Sequence, residues 1–240
     1  MCHTLGRPSK LGSAATTEKP FHSSLKCVPK LKNLPFIILG GGGHAKVVAS
    51  LLRQLGKSVL GYTDPNPKTI LDEQTEYLGT DDILATYDSD DVHYAIGLGS
   101  IGPVDARRRL FMEQQDRGAS FPALVHPFAT VAPEATLGAG SQVMAGAVVQ
   151  ASVTIQQNVL VNTGATIDHD CTIGAHTHIA PGCTVSGSVI VEEHVHVGTG
   201  ATIIQGCTIG KRCVVGAGAV VLDDVEAGVT VVGVPAHPIS

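Results

Sequence analysis

The sequence predicts an α/β plus β protein, an N-terminal Rossmann-like βαβαβ domain followed by a left-handed parallel β-helix built from hexapeptide repeats. Three observations carry that prediction. Stepping by six from Val131 to Val221 meets an aliphatic residue sixteen times in succession, and internal self-similarity of this kind has to be settled before any other fold signal. A run of four glycines, Gly40 to Gly43, sits between an apolar tetrapeptide and a segment with helical spacing, the order expected of a βαβ unit. The 28 glycines, the absence of Trp and only 4% aromatic residues describe a core of small and β-branched side chains, which suits stacked strands.

The first 33 residues carry six Lys/Arg against one acid and are expected to form a disordered basic extension. From Leu34 the pattern becomes globular. Phe36 to Leu39 reads as a buried strand, and Val47, Val48, Leu51, Leu52 and Leu55 recur at helical spacing until Gly56. "SVLGYTD" supplies a second strand ending at Asp64, residues 65–80 with two prolines read as a loop, "VHYAIGLG" is a third strand, and a helix is predicted over about 103–117. Gly40, Gly42 and Ala45 satisfy GxGxx(G/A), with Asp64 where a ribose-binding acid would follow. The glycine backbone and helix N-terminus offer N–H groups to a phosphate.

"SFPALVHP" leads into the repeat. The slot two residues before each aliphatic is also restricted, from Ala135 and Ser141 through Cys183 to Ala219. One aliphatic and one small inward position per hexad describe a triangular coil of three hexads, 18 residues a turn. Stacked at the ~4.8 Å spacing of paired strands, about five coils make a prism about 25 Å long. Residues 18 apart then lie one above another, placing His176 under His194 and His178 under His196. The domain boundaries follow: extension 1–33, Rossmann-like domain 34–125, β-helix 126–226, tail 227–240.

Composition also excludes. Net charge is −5, and beyond residue 33 the chain holds 10 basic and 20 acidic residues, −10, so no nucleic-acid footprint is present. No apolar run approaches the roughly 18 residues of a membrane span, and the N-terminus lacks the apolar core of a secretory signal; a cytoplasmic protein is expected. Cys171, Cys183, Cys207 and Cys213 occupy the small inward slot, where a thiol serves as a compact hydrophobe. With no CxxC motif, no metal is expected.

Four stretches, "ILGGGGHAKVV", "YAIGLGS", "NTGATIDHDCTIGAHTHIAPG" and "GVPA", resemble the sugar-nucleotide and sialic-acid acyltransferases, and within them the acetyltransferases of UDP-4-amino-sugars. The resemblance covers about residues 34–236. It implies an acetyl-CoA-dependent acetyltransferase acting on a nucleotide-linked amino sugar, working as a homotrimer with acetyl-CoA between neighbouring prisms. Carried over by motif, His169 is the general base and Asp170 its carboxylate; His178, Thr199 and Thr208 contact the CoA; Gly42, Gly43, His44, Asp64 and Gly97 hold the acceptor nucleotide. The chain departs from the family in having Asp170 where a glutamate is often found, and in a longer segment after Gly97.

The residues themselves suit acyl transfer, which needs a base, a donor to the developing oxyanion and alignment of two substrates. Imidazole takes a proton near neutrality, so His169 flanked by Asp168 and Asp170 is the candidate base. Adjacent residues on an extended strand point to opposite faces, so the sequence leaves open whether Asp170 reaches His169. The column map puts Gly187 over His169, which makes its N–H a candidate oxyanion donor. Transfer is expected to be direct, because no serine or cysteine stands in a nucleophile setting. His194 and His196 read as exposed corner residues. Three alternatives stand beside this reading: O-acetylation of sialic acid or a related sugar; a γ-carbonic-anhydrase-like zinc protein with His169, His176 and His178 as ligands; and a non-catalytic nucleotide-binding scaffold.

Overall fold

The computed structural model describes residues 32–66, 71–100 and 105–239. Nearly all of the basic extension, with Cys2 and Cys27, lies outside these residues. The N-terminal domain contains β1 (Phe36–Leu39), α1 (Gly43–Gln54), β2 (Val59–Thr63), β3 (Tyr77–Gly79), β4 (His93–Ile96) and α2 (Asp105–Asp116). Its sheet runs β3-β2-β1-β4 with every pair parallel. Strand β3 corrects the reading of 65–80 as a loop, and a 3-10 helix, Asp81–Thr86, follows it. Three residues, Tyr77 to Gly79, are too few to show alternation, so only the partner strand β2 reveals them.

Parallel strands bury both faces, and β1 is wholly buried. Phe36 and Ile38 pack with Val48, Leu51 and Leu52 of α1 on one side; Ile37 and Leu39 pack with Leu110 and Phe111 of α2 on the other. Val47, read as part of the apolar stripe of α1, is 43% exposed instead. The α1 cluster continues into Leu124, Met144 and Leu160 of the β-helix, so the two parts of the chain share a core.

The β-helix has three sheets of parallel strands, each pairing residue i with i+18, as in Thr154↔Thr172 and His178↔His196. The docking face runs from Leu124–Val125 to Val214–Val215 and lies under the N-terminal domain. A second face runs from Thr130–Val131 to Val220–Val221, and a third from Thr136–Leu137 to Thr208–Ile209. In each strand the second residue points inward, and with the small slot it forms one apolar column from Val131 to Val231. Cys171, Cys183, Cys207 and Cys213 are buried, unpaired thiols in that column, and burial pushes each thiol pKa up. Residues 230–232 and 237–239, inside the stretch read as a tail, add two strands to the docking-face sheet.

Each hexad turns its corner through one left-handed residue, at every sixth position from Gly140 to Gly218, with φ between 53° and 79°. Half of these fourteen corners are glycine; the others include Asp170, His176 and His194. Left-handed backbone costs a non-glycine residue roughly 1–2 kcal/mol, which the stacked coils impose.

Candidate active site

His169 stands on the corner between the second and third faces, half exposed. Its Nδ1 lies 2.8 Å from Oδ2 of Asp170. The left-handed φ of 59° at Asp170 removes the alternation of an extended strand and turns the carboxylate toward its neighbour, so the pair forms within one chain. Asp168 Oδ1 accepts the His169 backbone N–H at 2.8 Å. The Asp170 hydrogen bond, with the charge of Asp168 behind it, raises the His169 pKa above the ordinary imidazole value. With Nδ1–H donated to Asp170, Nε2 is left as the basic lone pair. Gly187 lies where the column map put it: a Cβ there would stand 2.6 Å from His169 Cε1. Only glycine lets the imidazole rest against the next coil.

A second group of residues meets on the docking face. A cavity of about 550 Å³ is lined by Gly43, His44 and Ser100 from the N-terminal domain and by Asn162, His178 and Thr199 from the β-helix. Its size suits a small-molecule ligand. His178 Nδ1 is 2.7 Å from Ser100 Oγ, and its Nε2 is 3.1 Å from Asn162 Nδ2. His44 Nε2 is 2.8 Å from Gln142 Oε1, and Gln142 Nε2 donates to the Ile96 carbonyl at 2.9 Å. The docking thus joins residues expected to hold the acceptor to residues expected to hold CoA. Ser100, Gln142 and Asn162 carry no motif of their own in the sequence; the 18-residue map puts Gln142 and His178 in one column, but not opposite His44.

The remaining candidates lie apart. Asp64 and Gly40 line a separate cavity of about 320 Å³ at the C-terminal ends of β1 and β2, with Thr63, Asp81 and Arg109. The two Asp64 carboxylate oxygens accept the N–H groups of Gly41 and Asn66, each at 2.8 Å. Gly42 is the N-cap of α1. Gly97 is buried, and a Cβ on it would come within 2.7 Å of Ala45 Cβ, so close packing alone demands glycine there. Gly40, at φ 99°, is the one member of the glycine run that needs left-handed freedom. Thr208 opens a third-face strand, its N–H held by Asp224 at 2.7 Å.

The other histidines correct the expectation of exposed corners. His176, His178 and His196 are buried beneath the N-terminal domain and His194 is partly so. His176 stacks on His194 at 5.2 Å, His178 meets His196 edge-on at 5.0 Å, and Phe111 of α2 packs on His176. Burial, with the neighbouring His196 and Arg107, lowers the His178 pKa to about 3; burial and Arg107 lower His44 to about 4; burial and His194 lower His176 to about 4. Of the ligands considered for zinc, His176 is engaged by Asn158, His178 by Ser100 and Asn162, while His169 stands across the prism. Among the described residues no three potential ligands converge.

A nucleotide-type domain docked on a hexapeptide β-helix, with a histidine-carboxylate pair on a prism corner, defines an acyltransferase of the hexapeptide class. The family model for the PglD N-terminal domain matches residues 35–113, and the bacterial transferase hexapeptide model matches 152–187 and 188–223. No curated protein matches. The acetyltransferase domain of PglB from Neisseria gonorrhoeae, solved with acetyl coenzyme A, is 37% identical over 87% of this chain and 100% of its own, with a TM-score of 0.82. PerB from Caulobacter crescentus, solved with CoA and GDP-perosamine, is 37% identical over 86% of this chain and 97% of its own, TM-score 0.80. WeeI from Acinetobacter baumannii is 27% identical over 86% and 100%, TM-score 0.78. The chain belongs to this family of sugar-nucleotide acetyltransferases with a PglD-type N-terminal domain and hexapeptide repeats. Among the described residues no helix is long and apolar enough to cross a membrane.

Proposed function

We propose that the protein transfers an acetyl group from acetyl-CoA to the amine of a nucleotide-linked amino sugar, by direct attack with His169 as general base. The observation that carries this reading is the 2.8 Å pair of His169 and Asp170 on the β-helix corner, in a chain 37% identical to structures that hold acetyl-CoA or CoA with a GDP-amino sugar. His169 Nε2 takes a proton from the acceptor nitrogen as it attacks the thioester carbonyl, and Asp170 stabilises the imidazolium that results. The Gly187 N–H faces the developing oxyanion. Gly43 and His44 orient the acceptor, whose nucleotide lies toward Gly42, Asp64 and Gly97, while His178, Thr199 and Thr208 line the path of the CoA.

The working unit is a homotrimer with each site shared between copies. His169 lies at the edge opposite the docking face in its own prism, so the base and the cavity lined by His44 and His178 meet only across two chains. Ile204 near the His169 corner and Ile190 on the third face are half exposed, and an apolar strip beside a catalytic residue suits a subunit contact. The domain limits proposed are 34–125 and 126–226, the cytoplasm is the proposed location, and no metal takes part.

The test is a panel of nucleotide-linked 4-amino sugars with acetyl-CoA, followed by thiol release and mass of the product. A gain of one acetyl group on the amine is expected for at least one member. Absence of release with all of them, or stoichiometric zinc with hydratase activity, sinks the reading. O-acetylation of a sialic acid in preference to any amine would move the acceptor from nitrogen to oxygen.

A further inference from the structure

The hydrogen bonds around His178 have a definite polarity. Asn162 Oδ1 accepts the Thr163 backbone N–H at 2.8 Å, which fixes the amide so that Nδ2 is the donor toward His178 Nε2 at 3.1 Å. A donor at Nε2 requires a lone pair there, so His178 is neutral and carries its proton on Nδ1. That proton is donated to Ser100 Oγ at 2.7 Å. Ser100 has then accepted its bond, and among the described residues its own O–H has no acceptor; Ser100 lines the cavity between the domains, into which that O–H can donate. The chain two residues before it is anchored as well, since the buried guanidinium of Arg107 donates to the Leu98 carbonyl at 2.9 Å.

Every bond in the series points one way, from the Asn162 amide through the imidazole to the Ser100 hydroxyl. Bonds aligned head to tail polarise one another, and more so where water is excluded. Such a series stabilises negative charge at its open end and offers nothing to a cation. Both ring nitrogens of His178 are occupied by protein, so the group it presents to a ligand is the Ser100 hydroxyl rather than the imidazole.

We propose that Ser100 donates a hydrogen bond to the thioester carbonyl oxygen of the acyl donor as that oxygen becomes an oxyanion, with His178 and Asn162 as positioning residues behind it; this rests on the acetyltransferase reading above. The acceptor nitrogen forms a bond to the carbonyl carbon, and the C=O electron pair moves to oxygen, where Ser100 meets it. The pair returns as the C–S bond breaks, and the leaving sulfur takes from His169 the proton that the base removed from nitrogen, so that CoA departs as the thiol. Ser100 keeps its own proton throughout. Its partner donor, the Gly187 N–H, comes from the copy that supplies His169.

Ser100→Ala in the full chain is expected to lower kcat about 10²-fold, the loss typical of one oxyanion donor, with KM for acetyl-CoA and CoA binding by calorimetry unchanged. Ser100→Thr, which keeps the hydroxyl, restores most of kcat. Asn162→Ala lowers kcat by itself and adds nothing in the Ser100→Ala background, since both act through one bond. An Ala variant with full kcat, a loss confined to KM for the sugar nucleotide, or fully additive Asn162 and Ser100 effects would each overturn the assignment while wild-type turnover keeps the acetyltransferase reading intact. A wild-type chain that binds no CoA and releases no thiol overturns both.

Discussion

At the scale of single residues, the His169 corner shows how backbone sets chemistry. Asp170 reaches His169 because the coil forces it into left-handed φ; the same two residues on an extended strand would face apart. The raised His169 pKa has a signed consequence. In the proposed mechanism the neutral imidazole is the base and its charged form is held by Asp170, so the acid limb of kcat/KM is expected above the ordinary histidine value. Asp170→Asn is expected to move that limb to lower pH and to reduce the plateau, because the imidazolium formed during attack loses its partner. A pH–rate profile that does not move with the substitution would show that His169 is not the titrating base. Gly187→Ala places a methyl 2.6 Å from the ring. The exposed imidazole then swings off Asp170, and kcat should fall at least 10-fold with the melting temperature held, since small displacements of a reacting group cost up to about 10²-fold.

At the scale of elements, the hexad explains itself inwardly. Fifteen small residues from Ala135 to Ala219 lie against sixteen aliphatic ones, and the slot is completely buried at Ala165. Ala165→Leu is expected to destabilise the protein by about 1–3 kcal/mol through overpacking, read as a lower denaturation midpoint at constant slope. A neutral result would mean the coil relaxes locally. The inward residues were legible from the sequence, because a period of six maps one slot to one environment. The left-handed corners were legible only in part, as glycine fills half of them and Ser, Asn, Asp, His and Arg fill the rest. Strand β3 was not legible, since a three-residue edge strand has no period of its own.

At the scale of the whole molecule, two candidate groups lie on opposite sides of one prism, His169 at a corner and the cavity of His44, Ser100 and His178 on the docking face. Mixed assemblies test their union. Co-purified subunits carrying His169→Asn and Ser100→Ala, each nearly inactive alone, should regain activity, because some interfaces pair an intact base with an intact cavity. No recovery in demonstrably mixed assemblies would place the site within one chain. The sequence by itself determined the coil, its columns, the inward thiols and the family motifs, since each is a local or strictly periodic property. Only the tertiary structure decided which histidines are buried, and that residues 44, 100, 162 and 178 line one cavity with Gln142 hydrogen-bonded to His44 behind it. The physical reason is that docking of two domains has no period along the chain. The direction of a hydrogen-bond series, moreover, exists only once donors and acceptors distant in sequence stand within 3 Å or so of one another.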